Sequence, residues 1–487
     1  MVLMLILNSK KMTMKKIVYL FIASIAFTAV SCDKDFEEVN VTPNSSLVTD
    51  PNLLLASTII TTQNVMYNAQ IGADMGLCWA QHWSKVQYND EERYIPRRAL
   101  MNSLWDNLYV NVINESKEAY ALAGDAGNTN LQGVALVMQA NAFQILTDVY
   151  GPVPFTEAVV PGNVKPVFDA EEVVYDGILA LLDDAESLFA TGTGDFTASA
   201  DLVYGGDVAK WRKFAASLKL KALMRISSKR NVNAEAQALV NSGQLFSSNG
   251  DTAQLVYTSA QPDANPIYET VVFGGRSEYK VSSVLVDALA GTNDPRLGIY
   301  AQRNNANLYV GNVPGQENAG NYNGFSSPGT FYLNPTLPGI FLSNAQVQFL
   351  LAEAASKGII AGGVDEARVY YYAGIRANMA VNGVSTTATD TYLAQSGIDF
   401  FTTAQANERI GYQTWLALYG QGIEAWTEWR RTGFPALAPV QNAAIAQIPS
   451  RFYYSTNSQN TNNANYTAAS ATLSNGDSML SKVWWMN

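Results

Sequence analysis

Histidine, cysteine and charge are all scarce in this chain of 487 residues. It contains one histidine, His82, and two cysteines, Cys32 and Cys78. A zinc site made of several histidines is therefore excluded, a Ser-His-Asp triad could use only His82, and two cysteines cannot form a disulfide framework. Charged residues make up 15% of the chain, against about 25% in an average domain, so neutral polar side chains must cover much of the surface.

The charge that is present is mostly negative. The formal net charge is −11, and no basic stripe occurs, so nucleic acid is not expected as a partner. Aromatic residues make up 11%, including 25 tyrosines and 9 tryptophans. A neutral polar surface with many such rings suits uncharged, hydroxyl-rich ligands, although many of the rings must fill the core.

The N-terminus carries the sharpest local signal. Two lysines precede an apolar run over residues 17–30, which ends at Ser31 and Cys32. A basic start, a short apolar run and a small residue before a cleavage point are typical of a secretory signal peptide. The run is shorter than the ~20 residues that a spanning helix needs. Met14 fits the true start better than Met1, because it gives a compact Met-Lys-Lys beginning.

The segment Ala-Val-Ser-Cys at 29–32 resembles a bacterial lipobox. Signal peptidase II would cut before Cys32, whose thiol would take a diacylglycerol, and two or more acyl chains anchor a protein stably to a membrane. The acidic stretch at 33–38 resembles the signal that sends lipoproteins of Bacteroidetes to the outer face of the outer membrane. Removal of residues 1–31 takes away four lysines and no acid, which changes the net charge from −11 to −15.

These signals predict three parts of the chain. We expect a signal peptide over 1–31, a lipidated cysteine with an acidic and polar tether over 32–50, and a single domain over 51–487. Cys78 is the remaining thiol, and its apolar neighbours predict that it is buried and unreactive.

Helical periodicity dominates most of the domain, but residues 244–340 are rich in Gly, Asn, Pro and Tyr. Long loop sections in helical proteins are commonly functional. Within this section, β-like runs occur at 255–257 and 270–273, and the tail after residue 433 is expected to be irregular. The predicted helices are 50–69, 72–86, 100–124, 130–148, 170–190, 207–229, 233–242, 281–291, 343–357, 364–382, 403–419 and 422–431.

The helices at 343–357 and 364–382 resemble a tetratricopeptide pair, with small residues where the helices would cross. No strict repeat of this unit occurs elsewhere, so further units would be degenerate. The sequence thus predicts a mainly α protein with a loop-rich section of short β strands.

Six further segments carry motifs in chain order. They read TDVYGPVPFTEA at 147–158, KWRKFAASLKL at 210–220, NDPRL at 293–297, the helix at 342–358, QGIEAWTEWRRTGFP at 421–435 and IPSRFYY at 448–454.

Together these segments resemble the SusD/RagB family of Bacteroidetes outer-membrane lipoproteins, and most closely its second SusD-like subfamily. The chain departs from the family pattern at Ala29, Ala216 and Tyr454, where Leu, Asn and Pro are usual. The resemblance implies a SusD-like fold with degenerate tetratricopeptide-like helix pairs. It also implies a non-enzymatic lid that captures glycan, or in some members peptide, and pairs with a SusC-like TonB-dependent barrel at the outer membrane.

Sugar capture needs flat aromatic faces against the C–H side of pyranose rings and planar polar side chains that read hydroxyls. Two regions offer such residues, and none is carried over from the family, because these loops are its variable part. The sequence contains no D-x-D-x-D-G loop, so neither a metal ligand nor a cofactor is predicted. The candidate ligand contacts are Trp83, Tyr88, Asn89 and Tyr94 in the first region, and Tyr309, Tyr322, Asn323, Phe325 and Tyr332 in the second.

Three alternatives stay open at this point. The same architecture could capture oligopeptides, or act as a scaffold without a small ligand. A helical glycoside hydrolase could use Glu424 and Glu428, which share one helix face, as acid and nucleophile. We expect instead that arginines such as Arg430 or Arg431 neutralise them, and that His82 is structural.

Overall fold

Helices make up most of the computed structural model, which describes residues 49–486. Three π-helical segments, Ala69–Leu77, Asn107–Ile113 and Glu269–Phe273, and three short 3₁₀ turns lie between or beside them. The predicted mainly α fold is confirmed. In chain order the helices are α1 Pro51–Met66, α2 Arg98–Asp106, α3 Asn114–Asp125, α4 Thr129–Tyr150, α5 Glu171–Thr191, α6 Val208–Ile226, α7 Asn233–Ser242, α8 Pro266–Tyr268, α9 Ser283–Gly291, α10 Leu297–Tyr300, α11 Asn344–Ser356, α12 Gly363–Val381, α13 Thr386–Leu393, α14 Thr403–Ala417, α15 Gly422–Thr432, α16 Thr456–Thr461 and α17 Asn463–Thr472.

Between residues 49 and 486, four short strands form two separate antiparallel pairs. Strand β1 (Trp83–Lys85) pairs with β3 (Tyr279–Val281), and β2 (Ala253–Leu255) pairs with β4 (Gly339–Leu342). In the first pair, β1 lies among the N-terminal helices and β3 lies in the loop-rich section. The pairing therefore connects these two distant parts of the sequence.

From Asp50 onward the chain forms one compact unit. Across residues 49–486, no helix combines the length and apolar character needed to cross a bilayer. The predicted signal peptide, lipobox and Cys32 lie outside the described residues.

The first helix begins where the sequence predicts it. The side chain of Asp50 accepts a hydrogen bond from the N–H of Asn52 at 2.9 Å. Pro51 occupies the first helical position, where its missing N–H costs nothing.

Helix α4 is buried on nearly every side, as expected of a helix that is apolar all round. Gly151 ends it with a φ of 84°, and Pro152 and Pro154 cannot continue a helix. Val153 then forms a bridge with Asp169. The Gly-Pro motif therefore forms a structural corner, as predicted.

Helices α11 and α12 form the predicted helix pair and pack closely against each other. Gly374 of α12 lies against the ring of Phe349 of α11. A Cβ at Gly374 would stand only 2.7 Å from a ring carbon of Phe349, so glycine permits the close approach of the two helices.

One buried arginine joins three helices. Arg225 of α6 lies 3.3 Å from Asp148 of α4, and 3.1 and 2.7 Å from Glu424 and Glu428 of α15. Its side chain is fully buried. A cation in this position stabilises the fold mainly because its removal would leave three carboxylates without a shared partner.

The glutamates considered as a catalytic pair are both engaged in ion pairs. Glu424 also contacts Lys221 at 3.0 Å, and Glu428 contacts Arg431 at 2.8 Å. Burial alone would raise the pKa of Glu424, but the charges of Lys221 and Arg225 hold it below its ordinary value. The arrangement is that of a structural network.

The Asp-Pro-Arg-Leu turn anchors the loop-rich section to the helices. Asp294 and Arg296 form a fully buried ion pair at 2.6 Å. The guanidinium of Arg296 also donates to Asn378 of α12 at 2.8 Å and to Gln413 of α14 at 2.9 Å. These contacts give the buried guanidinium hydrogen-bond partners and hold this turn of the loop-rich section against α12 and α14.

A second buried carboxyl, that of Glu92, holds the loop after β1. Its two oxygens accept the backbone N–H groups of Lys85 and Gly315, both at 2.8 Å. Burial raises the pKa of Glu92 to about 7, against the lowering effect of these hydrogen bonds.

Cys78 is buried in a second apolar cluster, and His82 is buried against two rings of that cluster, Trp415 and Tyr419. Burial raises the pKa of the Cys78 thiol, the one free thiol among residues 49–486. His82 packs 4.7 Å from Trp415, and burial lowers its pKa to about 3, so the ring stays neutral near pH 7. Structural roles fit both residues.

Three local predictions were wrong. The helix expected over 72–86 stops short of Gln81, whose φ of 54° turns the chain into β1. The β-branched run 270–273 lies in a π-helix, because Asn265 caps a helix just before it through the N–H of Ile267, at 2.9 Å. The tail contains two helices, α16 and α17, where irregular chain was expected.

We expect Arg225→Met to lower the free energy of unfolding by about 3–5 kcal/mol, because three buried carboxylates lose their shared cation. Arg230→Met is the matched control, since it removes only an exposed ion pair with Asp176 and should cost less than about 1 kcal/mol. Urea unfolding at pH 7 measures both. Equal losses in the two variants would contradict a structural role for the network.

Glu92→Gln should change how stability depends on pH. The folded protein holds a proton on Glu92 up to about pH 7, whereas the ordinary value is 4.5, so the contribution of this carboxyl to stability falls as pH rises between these values. The free energy of unfolding of Glu92→Gln, relative to that of the unaltered protein, should therefore rise from pH 5 to 7 and level off above. Asp90→Asn controls for the loss of one carboxylate, and a flat or falling difference for Glu92→Gln would refute the assignment.

Candidate functional site

The register of β1 and β3 brings three loops together. It places the residues after Lys85 beside those before Tyr279. Val86 extends this contact: its N–H donates to the carbonyl of Glu278 at 3.0 Å, and its own carbonyl accepts from the N–H of Asn318 at 2.8 Å. The loops that follow Val86, precede β3 and follow Asn318 therefore converge.

We name the surface where these loops meet the loop face. It exposes two tyrosines, an arginine and two amides, and the arginine is paired with a buried carboxylate. Its residues are Gln87, Tyr88, Arg276, Glu278, Tyr322 and Asn323.

Tyr88 is the most exposed ring of the loop face, at 63% of its surface. Its backbone φ is 55°, which is uncommon for an aromatic residue and is often found at functional sites. The guanidinium of Arg276 lies 5.9 Å from the ring centroid, and Arg276 Nε donates to Glu278 Oε1 at 2.6 Å. A planar donor group is thus held next to an exposed aromatic face.

Tyr322 adds a second ring, which is partly exposed. Its hydroxyl donates to the side-chain oxygen of Gln87. Partial burial and the nearby Glu278 and Tyr88 raise the pKa of Tyr322, while Arg276 lowers it. The phenol therefore stays protonated at neutral pH and can both donate and accept hydrogen bonds.

Tyr309 and Asn323 lie on two loops that are joined to each other. Asn304 Nδ2 donates to the carbonyl of Gly324 at 2.8 Å, and the N–H of Asn305 donates to the carbonyl of Asn323 at 3.3 Å. The ring of Tyr309 is half-buried with Arg303 stacked 4.5 Å above it. These contacts extend the aromatic and arginine pattern beside the loop face.

Four of the sequence candidates are buried. Trp83 and Tyr94 are each 1% exposed: Trp83 Nε1 donates to the hydroxyl of Tyr419 at 2.8 Å, and the Tyr94 hydroxyl accepts from a backbone N–H at 3.1 Å. Asn89 is buried as well. These three side chains support the loops and offer no face to a ligand. Tyr332 is buried and lines a separate cavity.

The remaining candidate, Phe325, is half-buried beside Asn323. Of the residues predicted as contacts, only Tyr88, Tyr322 and Asn323 belong to the loop face, with Tyr309 and Phe325 at its edge.

The sequence interpretation missed Gln87, Arg276 and Glu278. Opposite charges two residues apart, just after Gly274 and Gly275 in the loop-rich section, are the signal that would have found Arg276 and Glu278. Among residues 49–486, no group of three or more His, Cys, Asp or Glu side chains is placed to hold a metal ion.

Comparison with known proteins agrees with the fold. Residues 43–455 match the second SusD-like family model, described as "Starch-binding associating with outer membrane". No curated protein sequence matches the chain.

Solved structures match over most of the chain. A chitin-binding protein is 26% identical, with 90% of this chain and 100% of that chain covered and a TM-score of 0.79. A SusD-like protein from Bacteroides thetaiotaomicron is 26% identical, with 88% and 98% covered and a TM-score of 0.74. A chitin-binding SusD homologue from Flavobacterium johnsoniae is 21% identical, with 89% and 97% covered and a TM-score of 0.75.

The family model spans more than four-fifths of the sequence, and the fold, the motif order and the structural neighbours all agree with it. The chain therefore belongs to the SusD-like family of proteins that associate with the outer membrane.

Proposed function

We propose that this protein is a surface lipoprotein that captures a glycan at the loop face and delivers it to a SusC-like TonB-dependent barrel. The observation that carries this proposal is the pair of accessible tyrosines, Tyr88 and Tyr322, held beside an arginine and an amide. The starch-binding description of the family and the chitin-binding relative at 26% identity support a carbohydrate as the ligand.

The chemistry of the loop face suits an uncharged sugar. The ring of Tyr88 can lie against the C–H face of a pyranose, and the Tyr322 hydroxyl and the Asn323 amide can bond sugar hydroxyls. The guanidinium of Arg276 is already paired with Glu278, so it offers directional donors with little net charge. Such a site binds neutral hydroxylated chains better than ions.

Capture without turnover is part of the proposal. Glu424 and Glu428, the carboxylates considered for glycoside hydrolysis, are tied to Lys221, Arg225 and Arg431. A general acid needs a raised pKa, whereas the pKa of Glu424 is lowered.

Delivery requires that the protein stay at the membrane and still move. A lipid on Cys32 would provide the anchor, and the polar segment after it would let the domain swing over a barrel as a lid. Removal of residues 1–31 also leaves the domain strongly acidic, which limits non-specific adhesion to an anionic surface.

Tyr88→Ala and Tyr322→Ala should each weaken binding of chitohexaose by about five- to tenfold, since one aromatic contact is worth about 1 kcal/mol. Isothermal titration calorimetry measures the change. Phe401→Ala is the matched control, because Phe401 is also an exposed ring beside an arginine, Arg368, at 5.1 Å, but lies outside the loop-rich section. It should leave affinity unchanged.

Maltohexaose and a mixed peptide library complete that experiment. Binding of maltohexaose instead of chitohexaose, with the same sensitivity to Tyr88 and Tyr322, would retain the proposal and change the sugar. Binding of peptides alone, or glycan binding that ignores both tyrosines, would overturn it.

Cys32→Ala should release the protein from the membrane fraction, because alanine lacks the thiol to which the lipid would be attached. Metabolic labelling with an alkyne palmitate and fractionation of cells measure the loss. Cys78→Ala controls for thiol removal, since that side chain is buried. Unchanged membrane association of Cys32→Ala would contradict lipid anchoring.

A further inference from the structure

A cavity of about 330 Å³ lies outside the loop face, between the 3₁₀ turn Thr330–Leu333, the second sheet and the helices α12 and α14. None of its lining residues belongs to the loop face. Its volume is at the lower end of the ~300–1,000 Å³ usual for ligand pockets, which fits one or two sugar rings and not a long chain.

All of the residues that line the cavity, within the described range 49–486, are uncharged. Aromatic rings form one wall: Phe331, which is 39% exposed, stands at the entrance beside Tyr332 and Tyr419. A cavity without charge, but with aromatic faces, disfavours ions and favours neutral ligands that have an apolar side.

These rings are held in place before any ligand arrives. The hydroxyl of Tyr332 donates to Asn382 Oδ1 at 2.7 Å. Tyr419 accepts from Trp83 Nε1 and donates to the carbonyl of Tyr300, both at 2.8 Å, and its ring stacks on that of Tyr300 at 4.3 Å. Rings fixed in this way lose little freedom on binding.

Glycine is required at one point of the wall. Gly420 has a φ of 91°, and a Cβ there would stand 3.0 Å from the ring of Tyr332. The chain therefore leaves the aromatic wall uncovered where a larger side chain would press against it.

Within the described residues, five amide side chains line the cavity, among them Asn378 of α12 and Asn382 at the end of that helix. Gln254 of β2 and Gln421, just before α15, line the cavity, and neither side chain forms a hydrogen bond with another residue in 49–486. Asn249 donates through Nδ2 to the carbonyl of Ala377 at 2.9 Å, which leaves its side-chain oxygen as an acceptor. Planar amides beside aromatic rings are the polar groups suited to reading sugar hydroxyls or an N-acetyl group.

We propose that this cavity is a second carbohydrate-binding site, distinct from the loop face, for one or two neutral sugar residues. The choice of sugar as the ligand class rests on the proposed function, whereas the existence of the site rests on the cavity itself. A glycan that occupies both sites at once would dissociate more slowly than a glycan held by either site alone.

The test uses the complete mature domain with N,N′-diacetylchitobiose and maltose as short probes and chitohexaose as the long one. Gln254→Ala combined with Gln421→Ala removes the two amides that bond no other residue in 49–486. Val381→Glu places a charge on the cavity lining at a side chain that is 54% exposed. Each variant should weaken binding of one of the short probes at least tenfold in calorimetry. Phe401→Ala, the matched control, removes an exposed ring outside both sites and should leave that short-probe binding within twofold.

Both cavity variants and the control are checked for folding by circular dichroism, and a crystal soaked with the short probe that binds should show it against Phe331 and Tyr332. Short-probe binding that is unaffected by the cavity variants, or absent at millimolar concentration, would overturn the second site. Hexasaccharide binding that ignores Tyr88→Ala and Tyr322→Ala, with short-probe binding still sensitive to the cavity variants, would instead count against the proposed function alone.

Discussion

The buried guanidinium of Arg225 is the interaction on which the helical scaffold depends. It brings carboxylates of α4 and α15 to one point, and Arg431 continues the network to Glu353 of α11 at 2.6 Å. Removing one member of such a network leaves its partners buried without compensation, which is strongly destabilising. The network therefore ties α4, α6, α11 and α15 to one another through shared ion pairs.

The loops depend on that scaffold through a few buried polar contacts. Arg296 ties the loop-rich section to α12 and α14, and Glu92 ties the loop after β1 to Gly315. With these attachments, the three-residue pairing of β1 and β3 is enough to bring Tyr88, Arg276 and Tyr322 together. The site is thus assembled from distant segments on a rigid base, which is the usual way in which loops carry function.

Much of the scaffold was predictable from sequence, because amphipathic periodicity and caps are local. Helix α7 has the predicted bounds 233–242, and α1 begins at its expected cap. The loop-rich section was less predictable: nothing local to Trp83–Lys85 indicates that its partner is Tyr279–Val281. For the same reason sequence could not tell Trp83, which the pairing buries, from Tyr88, which it leaves exposed five residues later.

The central claim is that a glycan binds where the three loops converge. Hydrogen–deuterium exchange with and without saturating glycan tests it most directly, with the hexasaccharide that binds in calorimetry as the probe. The account predicts slower exchange in residues 86–88, 276–278 and 318–323, with little change in α4 and α6. Protection confined to the helices, with those three loops unchanged, would contradict it.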